Sequence, residues 1–164
     1  MFKRNSFRGL TIIASLVLAQ PLILQSAHAV DNMETSGDID LTSVRAKIKA
    51  QDYKGALAEL RDLAEDNQNA DVYNLLGFTL RKTGDYATSL SYYTKALELQ
   101  PDHKAAREYL GELFVETGHM DKAKEQLAAL TKLCPAGCEE RGDLEKAIAA
   151  NKAASNLWAQ ERRP

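Results

Sequence analysis

From about residue 38 onward, apolar residues recur every three or four positions, the spacing that places them on one face of a helix. Between Ala70 and Thr83 the apolar positions are Tyr73, Leu76, Phe78 and Leu80. Between Tyr86 and Gln100 they are Tyr86, Leu90, Tyr93, Ala96 and Leu97. Two amphipathic helices are predicted, joined by a tight turn at Gly84-Asp85. Gly84 can adopt the left-handed backbone that ends a helix, and Pro101 cannot continue the second one.

The pattern then repeats. Gly77 recurs as Gly111, Gly84 as Gly118, Pro101 as Pro135 and Leu76 as Leu110, while Tyr93 is matched by Leu127, always at the same interval. A fixed step of about 34 residues signals stacked helix pairs. Upstream, residues 52–66 carry Tyr53, Ala56, Leu60 and Leu63 as a second helix would. Leu41, Val44 and Ile48 supply its partner, with Arg45 read in place of the glycine. Downstream, residues 142–164 are Ala-rich and predict a helix capped by Asp143, with Glu145 in its first turn and Arg162 and Arg163 in its last. A stack needs an end element with one polar face, and this helix suits that role. Trp158 on it packs over the last repeat or contacts a partner.

At Tyr73, Leu76, Gly77, Leu80, Tyr93, Ala96 and Pro101 the pattern resembles the tetratricopeptide repeat. The next unit repeats it with Leu110, Gly111, Phe114, Ala123, Leu127, Leu130 and Pro135. Ser89 stands where alanine is usual, and Arg107 where a bulky residue is usual. The resemblance implies an all-α fold, a right-handed superhelix of antiparallel helix pairs. The units run 38–69 (degenerate), 70–103 and 104–137, and 138–164 form a disulfide-linked turn and capping helix.

The resemblance also implies a groove lined by the first helix of each pair, holding a protein or peptide, with no catalysis and no cofactor. The groove positions are Asp71, Asn74, Phe78, Arg81 and Lys82 in one unit and Ala105, Glu108, Glu112, Val115 and Glu116 in the next. Phe78 is expected as an apolar anchor that the core does not need. Glu108, Glu112 and Glu116 follow at i, i+4 and i+8, where like charges repel. They form either a solvated face balanced by Lys104 and Arg107, or an acidic rail for a basic segment.

The N-terminus bears on compartment. Lys3, Arg4 and Arg8 precede an apolar run from Leu10 to Leu24, and Ala27-His28-Ala29 follows. This is the arrangement of a signal peptide over residues 1–29, cut after Ala29. Residues 30–37 then form a flexible leader, and the protein is expected to be periplasmic or secreted. The run is short for a membrane span, and none is expected after cleavage. Cleavage removes Lys3, Arg4 and Arg8 from a total of 21 basic side chains and leaves all 23 acidic ones. The acidic balance of residues 30–164 gives no support for nucleic-acid binding.

Candidate chemistry is sparse. After cleavage the histidines are His103 and His119, both at turns between helices, and no triad or phosphate loop is visible. The chain is not expected to be an enzyme. Cys134 and Cys138 enclose Pro135 and Gly137. Two cysteines do not make a four-ligand zinc site, and the spacing is not that of a thioredoxin-type centre. In an oxidising compartment the default is a disulfide with a structural role. The alternative is a periplasmic copper or thiol-redox accessory acting through Cys134 and Cys138, since two thiolates can hold copper(I).

Overall fold

The computed structural model describes residues 39–161, and only the backbone from residue 154 on. The expected signal peptide, the leader up to residue 38, and Arg162 and Arg163 lie outside the described residues, as does the Trp158 side chain. Every element among the described residues is helical: α1 (Thr42–Lys49), α2 (Tyr53–Asp66), α3 (Ala70–Lys82), α4 (Tyr86–Leu99), α5 (Lys104–Glu116), α6 (Met120–Leu133) and α7 (Glu139–Glu161). Each helix packs on the next in sequence, and α5 also touches α3 and α7. The first helices of successive pairs thus line up along one side.

Local chemistry sets the helix starts. Asp52, Asn69 and Asp85 cap α2, α3 and α4, their side-chain oxygens accepting from Gly55, Asp71 and Thr88 N–H groups at 2.9, 2.8 and 3.1 Å. His103 caps α5, its Nδ1 accepting from the Ala106 N–H at 3.2 Å. Its Nε2 lies 3.2 Å from Asp71 Oδ1, so the cap also ties α5 to α3. With Nδ1 accepting, Nε2 carries the proton and donates to Asp71.

The turns inside the pairs share one geometry. The Asp85 N–H donates to the Leu80 carbonyl at 3.0 Å, and the His119 N–H to Phe114 at 2.7 Å. The residue before each is glycine at positive φ, 87° for Gly84 and 77° for Gly118. In the first pair the Asp52 N–H donates to Lys47 at 2.9 Å, and Gln51 holds φ 60°. The step from Asp52 to Asp85 is therefore shorter by one position than the step from Asp85 to His119. That register places Val44, not Arg45, opposite Gly77. Val44 is fully buried in a cluster with Leu60, Val72, Leu75 and Leu76, while Arg45 is exposed.

The reason for the glycine is visible one unit on. A Cβ added to Gly77 would lie 2.7 Å from the ring of Tyr93, which is fully buried. In the first pair Leu60 stands where Tyr93 does, and the smaller side chain leaves room for valine. Ser89 has a specific use as well: its hydroxyl, fully buried, donates to the Gly77 carbonyl at 2.7 Å.

The terminal helix departs from expectation in two ways. It begins at Glu139, ahead of the expected cap at Asp143. The chain reverses at Gly137, φ 102°, whose N–H donates to the Cys134 carbonyl, so the helix can start at once. The Cys138 carbonyl accepts from the Gly142 N–H at 3.1 Å. Asp143 then lies inside the helix and pairs with Lys146 at 2.8 Å, and Glu145 pairs with Arg141 at 2.9 Å. Second, α7 occupies the place of a first helix. Fully buried Leu144 follows Leu76 and Leu110 at the same step. It, rather than a residue of α6, meets Gly111, where an added Cβ would stand 2.5 Å from a Leu144 methyl. The turn between α6 and α7 brings Cys134 and Cys138 together, with Cα atoms 5.9 Å apart.

Candidate partner-binding face

Asn74, Phe78 and Arg81 lie at i, i+4 and i+7 on α3, so they share a face. That face meets α5. The Phe78 ring packs against Tyr109 at 5.0 Å between centroids, and the Arg81 guanidinium lies 5.6 Å from the Phe78 ring and 5.9 Å from that of Tyr109. Arg81 Nη2 donates to Glu112 and Nη1 to Glu116, both at 2.5 Å. The Arg81 side chain is 1% exposed, so the α3–α5 joint contains a buried cation held by two carboxylates and two rings.

This arrangement corrects three expectations. Phe78 is half-buried and packs on the cluster of Tyr93, Leu110, Leu113 and Phe114, so the core does use it. Its outer side meets the Lys82 ammonium at 5.3 Å. Glu112 and Glu116 are not a free rail, because Arg81 already satisfies them. Nor do they depend on Arg107, which donates to the Pro101 carbonyl at 2.6 Å and to Gln126 at 3.2 Å. The counter-charge comes from the preceding repeat, a pairing across 31 and 35 residues.

Glu108 differs from its two neighbours. It is 7% exposed and forms no hydrogen bond or ion pair among the described residues. Burial, and then the carboxylates of Glu112, Asp143 and Glu140, push its carboxyl up to about 8, against the opposing pull of Arg81. Burial also raises the Tyr93 phenol, an effect the adjacent Arg81 partly offsets. Asn74 is 4% exposed, and its Oδ1 has no hydrogen-bond partner.

The face therefore presents Lys82 and the edge of Phe78 at one end and a carboxyl-rich end formed by α5 and the start of α7. Among the described residues, no group of three or more His, Cys, Asp or Glu side chains has metal-holding geometry. No helix among them is long and apolar enough to cross a membrane.

Known proteins share this organisation. The tetratricopeptide repeat family model matches residues 80–133, from the last turn of α3 through α6. A protein of Guillardia theta, "Uncharacterized protein ycf37", is 32% identical over 66 residues, 40% of this chain. The match spans 37% of that relative's length. Among solved structures, MamA superposes with a TM-score of 0.56 at 16% identity, covering 73% of this chain and 78% of that one, which shows a common fold. The constant step, the glycine against its facing side chain and the family match agree, and the chain is a member of the tetratricopeptide repeat family.

Proposed function

We propose that this chain is a non-catalytic scaffold that holds a segment of a partner protein on the face built by α3, α5 and α7. The observation that carries the reading is the alignment of first helices. Asn74, Phe78, Arg81, Lys82, Glu108, Glu112 and Glu116 all fall on that side, with buried polar atoms left unpaired there. The fold it shares with other repeat proteins supports an interaction role, since stacked pairs expose an extended surface. Site-specific photo-crosslinking tests it. A benzophenone residue at position 82 is expected to capture a partner, and one at Ser91, on the second-helix side, is not. Capture only from position 91 would refute the reading.

We further propose export, with cleavage after Ala29, and a structural Cys134–Cys138 disulfide. N-terminal sequencing of protein isolated from cells is expected to begin at Val30. For the cysteines, the turn geometry at Gly137 supports a staple over the copper alternative. A copper site would gain from a third ligand, but His103 is engaged by Asp71 and Ala106, and His119 by Thr117 at 3.0 Å. Thiol titration of denatured, unreduced protein separates the two: a staple leaves no free thiol.

A further inference from the structure

Asn74, Glu108 and Gly142 are separated by the repeat's own step and stand at equivalent places on α3, α5 and α7. The first two are both more than nine-tenths buried, and both lack a hydrogen-bond partner. Desolvated acceptors left unpaired are uncommon, because each loses its bonds to water and gains nothing in return. Asn74 lies one turn before Phe78 on the face of α3 that meets α5, so its free Oδ1 is on the same side as Glu108. At the third position the chain withholds a side chain: a Cβ added to Gly142 would meet no atom within 4 Å. The three positions form a row of amide oxygen, carboxyl and open space.

The surrounding charge selects what fits. Glu112 bears on Glu108 from its own helix, Glu140 and Asp143 from α7, and Arg81 from α3. Glu112 and Glu116 share the one arginine, so the local balance is negative. An anion is repelled, and an apolar group leaves both acceptors unpaired. A compact cation with several donors satisfies acceptors that arrive from two different helices, which a planar guanidinium fork does less well.

We propose that the slot between Asn74, Glu108 and Gly142 takes the ammonium group of a lysine side chain on the bound segment. The inference rests on the scaffold reading above and names the chemistry it recognises. Because burial and neighbouring carboxylates hold Glu108 protonated at neutral pH, an arriving ammonium displaces that proton. Binding thus releases a proton at pH 7 and strengthens as the pH rises towards 8. A contact made only with exposed carboxylates, already ionised, releases none.

The probe is a capped alternating Ala-Lys peptide of about twelve residues, long enough to span two first helices. It is titrated calorimetrically into residues 30–164, in buffers of different ionisation enthalpy. Binding with release of most of a proton at pH 7, and of little at pH 9, is expected. Glu108→Gln, which retains the shape and removes the titration, is expected to weaken binding at least tenfold and to abolish the release. Gly142→Leu fills the open space and should weaken it similarly, with circular dichroism confirming the fold. Several outcomes would overturn the slot: no binding up to millimolar peptide, equal binding of an acetyl-lysine peptide, or Glu108→Gln binding like the parent. The scaffold reading fails separately. If position 82 still captures its partner in the Glu108→Gln background, the scaffold stands and the lysine slot falls.

Discussion

Glu108→Gln should make the protein's stability less sensitive to alkali. The carboxyl is raised from 4.5 to about 8 in the folded protein. Between those values the folded state holds a proton that the unfolded state has released, so stability falls as pH rises and levels off above 8. Each tenfold change in proton affinity corresponds to about 1.36 kcal/mol, which puts the ceiling at about 5 kcal/mol. Local relaxation and the high effective dielectric near a protein surface reduce this to about 2 kcal/mol. For a domain of this size that is roughly 8 °C in Tm. Glutamine has nearly the same volume and does not titrate, so the difference between parent and variant isolates this one group. Thermal melts followed by far-ultraviolet circular dichroism between pH 5 and pH 9 provide the measurement. The parent is expected to fall progressively behind the variant up to pH 8 and then keep a constant gap. A difference that stays flat to within about 2 °C over the whole range would show that Glu108 is not desolvated, and the burial argument would be wrong.

Gln51→Gly should raise stability by about 0.5–1 kcal/mol, because Gln51 occupies the left-handed conformation that glycine takes in the two later turns, and denaturant midpoints would show it. Arg81→Met should cost about 2–3 kcal/mol: it removes a buried cation, but the stranded Glu112 and Glu116 are partly exposed and can rehydrate. A loss below about 0.5 kcal/mol would place Arg81 among ordinary surface pairs. Replacing both Cys134 and Cys138 by Ser should lower unfolding free energy by about 2 kcal/mol, the entropy of so short a loop, while leaving the helical signal intact.

The repeat was legible because its marks are local. Gly84 and Gly118 announce left-handed turns, and Gly77 announces a close approach, here by Tyr93. Less visible was anything set by contacts between units. Glu112 and Glu116 looked like a repelling pair because Arg81 is 31 and 35 residues away in sequence. Phe78 looked dispensable to the core because Tyr109, its partner, belongs to the next unit. Glu108 and Glu112 are indistinguishable as letters, and only packing against α7 desolvates one of them. The first unit misled for a different reason. One deleted residue shifted the register, and Gln51 hid the turn by taking a conformation that its side chain disfavours. The start of α7 was misplaced because Asp143 is a good capping residue, whereas the actual start is fixed by the reversal at Gly137.

The position of Arg81 has a mechanical consequence. A stack of helix pairs bends like a leaf spring, and the contacts at its edges resist bending most because their lever arm is longest. Arg81 spans two first helices at one such edge, bonded to successive turns of α5 and flanked by Phe78 and Tyr109. Straightening the stack on that side must stretch two short charge-assisted bonds together. Bending along other directions only slides apolar side chains past one another. The spring is therefore stiff in one direction, and the spacing of α3 and α5 is fixed before any partner arrives. A segment that fits finds its footholds already at the right separation, and a segment of the wrong pitch cannot pull them to suit itself.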